Sequence, residues 1–240
     1  MSSSSTDALS PLPHEQKFTF LTSGNSSFFI RTVRSQDLIG LADVLASSFH
    51  TQYGWLGWFY PVLRMGIYED LRSRLHAAKT HKSAHYACLV AVLRGTDADV
   101  MCKHQALGFP YLGATYSSDR PIGTVEISQR TRALCSVRAP RYLYISNLAV
   151  HADYRRQGIA QQLLQMCDRI ALDWGFQDIY LHVLEDNHHA RRLYQRSGYR
   201  ILCVDVNPIS WLLKRPRQLL LHKQLSRNHE LASGDKELGA

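Results

Sequence analysis

The chain has 240 residues, 45% apolar and 20% charged, enough to bury one sizeable core and the wrong balance for a disordered polymer. Its formal charge of +8 favours anionic partners, yet the basic residues are dispersed, with small clusters only at Arg155-Arg156, Arg191-Arg192 and Lys214 to Arg217. Without a long basic tract, a zinc-finger pattern or an RNA-recognition pattern, nucleic acid is not an expected partner. No apolar run approaches the roughly 18 residues that span a bilayer, so no membrane partner is expected either. The five cysteines are scattered and form no CxxC pair, which argues against a disulfide scaffold or a zinc site and fits a reducing compartment.

Residues 1–26 are rich in Ser, Thr and Pro and read as a flexible lead. Met1 to Pro13 carries Asp7 and no apolar h-region, so a secretory signal is not expected. Phe28 to Val33 reads as the first strand. Ser35 suits a helix N-cap, and Leu38, Leu41, Val44, Leu45 and Phe49 follow at helical spacing. Trp55, Trp58, Phe59 and Tyr60 crowd the next stretch, either as an acceptor-pocket lining or as an aromatic core stripe. Pro61 suits a helix start, where its missing N–H costs nothing, and Leu63 to Leu75 continues as helix.

His85 to Leu93 is the second expected strand and residues 95–120 a long loop, a length that is often functional. Ile122 to Ser128 is the third strand, Arg130 to Arg141 a basic connection and Tyr142 to Val150 the fourth strand. Gly158 to Trp174 carries an apolar stripe of Ile159, Leu163, Leu164, Cys167, Ile170, Ala171 and Trp174, closed by Gly175. Ile179 to Leu184 is the fifth strand, Asn187 to Arg196 a helix stopped by Ser197-Gly198, and Tyr199 to Val206 and Gln218 to Leu225 the last two strands. Residues 226–240 are polar and read as a tail. The expectation is one α/β (α+β) domain over residues 27–225, with a mostly antiparallel twisted sheet of about seven strands and helices on both faces.

The most informative stretch runs from Tyr142 to Leu164. A strand ends at Val150, a polar turn follows, and Arg155-Arg156-Gln157-Gly158-Ile159-Ala160 opens a strong helix. The first N–H groups of a helix lack internal partners, and the helix dipole adds partial positive charge at the same end. Gly158 allows close backbone approach, Ala160 keeps the next turn small, and the two arginines add full charge, so a pyrophosphate would fit there. Arg155 and Arg156 could equally be solvated and Gly158 a plain turn residue. The string is neither a P-loop nor a GxGxxG fingerprint.

Three blocks together resemble the GNAT superfamily of N-acetyltransferases, in wording closest to its bacterial and plastid-type protein acetyltransferases. Arg155 to Ala160 fits the [QR]-x-x-G-x-[GA] motif. Leu148-Ala149-Val150 is similar to the cofactor strand, and Asn187, Ala190, Leu193, Tyr194, Gly198 and Tyr199 fit the later motif. The resemblance covers about residues 28–225 and is strongest over 122–201. It implies acetyl-CoA as cosubstrate and an amine acceptor, protein or small molecule. It further implies that Leu148, Ala149 and Val150 run beside the pantetheine arm and that Arg156, Gln157, Gly158, Ile159, Ala160 and Gln161 surround the pyrophosphate. Asn187 would hydrogen-bond the pantetheine arm and Tyr194 would protonate the leaving thiolate. Asn187 and Tyr194 are seven residues apart, which puts both on one helix face, with Ala190 between them.

Acyl transfer to an amine needs the amine neutral, so a general base is expected, together with a donor for the developing oxyanion, such as a backbone N–H at the irregular end of the fourth strand. Histone-type relatives carry a Glu fourteen residues before the motif Gly, where this chain has Tyr144; ribosomal-protein acetyltransferases carry one twelve residues before the Tyr, where this chain has His182. His182 shares a strand face with Tyr180 and is read as either the base or a hydrogen-bonded structural histidine. Glu126 is a second candidate base, with an outward surface charge the favoured reading, and Asn147 could hold a water. No metal is expected, because His188 and His189 are adjacent and point apart. A non-catalytic acetyl-CoA sensor stays open as an alternative. A monomer or homodimer in the cytoplasm is expected, or in a plastid if the source is a photosynthetic eukaryote.

Overall fold

A computed structural model describes residues 18–21, 27–50, 60–80, 85–93, 119–131, 141–205 and 217–226. The sequence readings for residues 55–59, for the loop to residue 118, for the connection over 132–140 and for the tail beyond 226 lie outside these described residues.

Eight strands form one sheet: β1 (Phe18–Leu21), β2 (Ser27–Thr32), β3 (Tyr86–Leu93), β4 (Arg120–Thr131), β5 (Arg141–Val150), β6 (Asp178–Leu184), β7 (Arg200–Asp205) and β8 (Gln218–Gln224). Their order is β1-β2-β3-β4-β5-β6-β8-β7. Every neighbouring pair is antiparallel except β5 and β6, which are parallel. The mostly antiparallel sheet agrees with the sequence reading, with one strand more. The extra strand is Phe18–Leu21, inside the segment read as a flexible lead, and it pairs Phe18 with Ile30 and Leu21 with Ser27. Four residues are too few for periodicity to register, so only the partner strand reveals it.

Helices α1 (Leu38–His50) and α2 (Tyr60–Thr80) pack Leu38, Leu41, Val44, Leu45 and Leu71 against Val90, Val92 and Ala149 on one face of the sheet. On the other face, α3 (Ile159–Asp173) buries Ile159, Leu163, Leu164 and Cys167, and α4 (His188–Arg196) buries Tyr194, against Val125, Ile127, Leu143, Ile145, Ile179 and Leu181. Ser35 does not cap α1 as expected: it lies in a 3-10 turn, Ser35–Asp37. The Asp37 carboxylate takes over, accepting from the Arg34 N–H at 2.7 Å and pairing with the buried Arg31 guanidinium.

Two irregularities open the centre of the sheet. Thr124 pairs with Ala149 but Glu126 pairs with Ser146, so Asn147 and Leu148 stand opposite Val125 alone, a β-bulge in β5. Asn147 sits there at φ 53°, in the left-handed region. Just before this bulge, β5 and β6 share only the pairs Leu143–Ile179 and Tyr144–Tyr180. The two strands diverge beyond that point. The bulge also swaps faces: Leu143 and Ile145 join the α3 side, whereas Ala149 joins the α1 side.

Candidate functional site

The turn between β5 and α3 has the geometry of an anion cradle. Arg156 and Gly158 both adopt left-handed backbone, at φ 65° and 80°, an alternation that turns successive N–H groups toward one concavity. Gly158 caps α3, and its carbonyl accepts from the Gln162 N–H at 3.0 Å, leaving the N–H groups of the first helical turn pointing outward. A Cβ added at Gly158 would meet no protein atom within 4 Å, so the space in front of this turn is open. Gln157, Ala160 and Gln161 line the same turn. Ile159 is 1% exposed, so it can offer a ligand only its backbone. The arginine pair divides: Arg155 Nε donates to the Val150 carbonyl at 3.1 Å, tying the turn to the strand, while Arg156 Nη2 lies 3.5 Å from His189 Nδ1.

Along β5, Leu148 and Val150 lean on the α3 core and Ala149 is buried beneath α1, so their backbone edge faces the divergence from β6. Asn187 caps α4, its Oδ1 accepting from the Ala190 N–H at 3.1 Å, which leaves its amide N–H₂ for another partner. Among the described residues no three His, Cys, Asp or Glu side chains are grouped as a metal site would require.

Tyr194 is buried beneath the divergence, its ring set edge-on to Tyr199. Burial pushes its phenol up to about 12, and the neighbouring Tyr144 phenol and Cys167 thiol push the same way. Near neutral pH it therefore carries a proton it can give. His182 and Tyr144 are joined: the Tyr144 hydroxyl lies 2.8 Å from His182 Nδ1. The Arg130 guanidinium covers the Tyr144 ring at 3.7 Å. β6 buries Ile179, Leu181 and Val183 and leaves Tyr180 and His182 half-buried on the opposite face, as the alternation predicts. That face continues with Tyr142 edge-on to Tyr180 at 5.1 Å and with His222 stacked on Tyr180 at 4.6 Å. Among the described residues, none of β6 or β8 belongs to the core beneath α1 and α2.

Tyr144 is the residue that sequence reasoning left without a role. Its signal is its position, fourteen residues before Gly158, where the resemblance to histone-type acetyltransferases implies an acid. Glu126 departs from its reading as a surface charge: it is 1% exposed. Its Oε2 accepts from Arg74 on α2 at 3.1 Å and its Oε1 from Asn147 Nδ2 at 2.7 Å. Both carboxylate oxygens are occupied, because α2 covers that part of the face. Asn147, read as a water holder, spends its amide on Glu126.

Comparison with known sequences decides the family. The sequence profile of the Acetyltransferase (GNAT) family matches residues 66–199, more than half of the chain. The chain belongs to the GNAT family. Among curated relatives, GCN5-related N-acetyltransferase 10, chloroplastic, of Arabidopsis thaliana is 31% identical over 66% of this chain and 57% of its own length. Its namesake 5, chloroplastic, from the same plant is 24% identical over 92% of this chain and 66% of its own. The chain thus spans under two thirds of these relatives. In fold it is similar to the PaiA N-acetyltransferase of Thermoplasma acidophilum in complex with coenzyme A, with a TM-score of 0.55 at 15% identity over 82% of this chain and 99% of that one. A GNAT-family acetyltransferase of Streptococcus pneumoniae gives 0.51 at 17% identity over 83% and 99%. The sheet with its split centre is the GNAT fold. No helix among the described residues is long and apolar enough to cross a membrane.

Proposed function

We propose that this GNAT protein is an acetyl-CoA-dependent N-acetyltransferase whose acceptor is the α-amine of a protein or peptide. The observation that carries this reading is the Tyr144–His182 hydrogen bond on one face of the strand divergence with the protonated Tyr194 beneath it. Acetyl-CoA supplies an activated acetyl thioester. The open turn at Arg156, Gly158 and Gln161 suits its pyrophosphate, and the diverging edge of Leu148–Val150 together with Asn187 suits its pantetheine arm.

The chain's own residues then divide the proton work. The Tyr144–His182 pair takes a proton from the acceptor ammonium, directly or through a water, freeing the nitrogen lone pair to attack the acetyl carbonyl carbon. A backbone N–H at the β5 bulge is the donor that the developing oxyanion needs. As the C–S bond breaks, the Tyr194 hydroxyl gives its proton to the leaving sulfur. No covalent enzyme intermediate is required.

The acceptor's own acidity favours an α-amine, which loses its proton at about pH 8 against about pH 10.4 for a lysine and so needs less help near neutral pH. The rings of Tyr142, Tyr180 and His222 lie on the same face as the Tyr144–His182 pair and give that face an aromatic character suited to an acceptor chain. A fission-yeast relative named N-alpha-acetyltransferase 30, 35% identical over 34% of this chain and 52% of its own length, supports the same acceptor class. The chloroplastic Arabidopsis relatives support a plastid location rather than the cytoplasm.

Thiol release from acetyl-CoA, measured with free N-terminal peptides, N-terminally blocked lysine peptides and small amines, tests this reading. The free peptides should turn over fastest. Preferred turnover of blocked lysine peptides or small amines would overturn the acceptor assignment.

A further inference from the structure

The buried Glu126 carboxylate bridges two elements, α2 and β5. Arg74 reaches it from α2, and Asn147 reaches it from the bulge of β5, where the strand takes its left-handed step. We propose that Glu126 is a positioning residue rather than a base: it holds the Asn147 side chain so that β5 keeps its bulge and its divergence from β6. This assignment rests on the acetyl-CoA reading only for its functional consequence. The clamp itself is a property of the free protein.

Three observations support it. Each Glu126 oxygen is already engaged by the protein, one by Arg74 and one by Asn147, as a positioning group requires. Asn147 is the only residue within β5 at positive φ; asparagine tolerates that conformation better than most residues, and inside a strand it is fixed there by what its side chain bonds. A charge-assisted bond from a 1%-exposed carboxylate to its amide supplies that constraint. Finally, Asn147 directly precedes Leu148–Val150, the edge that lies open to a ligand arm, so its conformation sets where that edge points.

The variants separate a clamp from a base. Asn147→Ala loses the side-chain anchor and disfavours the left-handed step. Asn147→Gly also loses the anchor but adopts that backbone freely. Glu126→Gln keeps an oxygen for Asn147. We expect amide hydrogen exchange over residues 146–150 of the ligand-free protein to rise about tenfold in Asn147→Ala, the weight of one such hydrogen bond. In Asn147→Gly, which loses the same anchor without disfavouring the left-handed step, it should rise to a similar extent, whereas in Glu126→Gln it should stay within about twofold of wild type. Acetyl-CoA affinity by calorimetry should follow the same order, with Asn147→Ala about tenfold weaker. Glu126→Gln should retain most of kcat.

Unchanged exchange in Asn147→Ala or in Asn147→Gly would overturn the clamp. So would a fall of about a hundredfold or more in kcat for Glu126→Gln with acetyl-CoA affinity intact, the signature of a lost general base. If wild type binds no acetyl-CoA while Asn147→Ala still exchanges faster, the clamp stands and the cosubstrate assignment is what fails.

Discussion

Gly158 and Gly175 form a matched pair that isolates ligand binding from backbone strain. Both take left-handed backbone, at φ 80° and 77°, and in both cases an added Cβ would meet no protein atom within 4 Å. Alanine at either place therefore costs conformational strain alone. The left-handed penalty is about 1–2 kcal/mol, and the stiffer unfolded chain returns a few tenths, leaving about 1 kcal/mol. For a domain of this size that lowers Tm by about 2–4 °C. Gly175 closes α3 far from the anion turn, where Phe176 N–H donates to the Ala171 carbonyl at 2.8 Å. Gly158 opens the same helix at the cradle, where the Cβ would project into the space assigned to the pyrophosphate. Differential scanning calorimetry should give both variants the same loss. Titration calorimetry should find acetyl-CoA binding weakened at least tenfold in Gly158→Ala, the loss of about one backbone hydrogen bond to a charged group, and unchanged in Gly175→Ala. Equal affinities in the two variants would refute the placement of the pyrophosphate.

Three further outcomes are expected. Tyr194→Phe should lower kcat by about 10²–10⁴ while acetyl-CoA affinity stays within about twofold, as stopped-flow thiol release and calorimetry would report; loss of affinity with kcat retained would contradict its role as acid. The Tyr194 phenol, held at about 12 in the folded state, is raised above the unfolded value near 10, so its contribution is intact below pH 10 and declines from there to pH 12, by about 3 kcal/mol in all. Urea melts from pH 9 to 11.5 should accordingly show a shallower alkaline loss for Tyr194→Phe than for wild type, and parallel curves would refute the shift. Asp37→Ala removes the partner of a guanidinium that is 2% exposed and should cost about 3 kcal/mol by urea denaturation; a change below about 1 kcal/mol would mean that Asp119, 3.7 Å from Arg31, suffices alone.

The local geometry of those parts of the proposed site that lie on one continuous segment is legible in the sequence. The turn through Gly158, the stripe from Ile159 to Ala171 and the spacing of Asn187 and Tyr194 each obey local rules of capping and periodicity, and the structure sets them on one side of the sheet. What could not be read depends on partners distant in the chain. Glu126 between Val125 and Ile127 has the alternation of an outward charge, and only its distant partners, Arg74 52 residues earlier and Asn147 21 residues later, explain its burial. The Tyr144–His182 pair spans 38 residues and depends on the register of β5 against β6, which no local pattern specifies. The strand at Phe18–Leu21 exists through its pairing with β2.

The central claim is that acetyl moves from coenzyme A to an α-amine through Tyr194 and the Tyr144–His182 pair. The most direct measurement is fragment mass spectrometry of a peptide bearing both a free N-terminus and an internal lysine, after incubation with the protein and acetyl-CoA. The account predicts one acetyl group on the N-terminal nitrogen with one thiol released per acetyl, both slowed by about a hundredfold or more in Tyr194→Phe. Acetyl-CoA bound tightly with no acetylated nitrogen would contradict it and leave the protein a sensor.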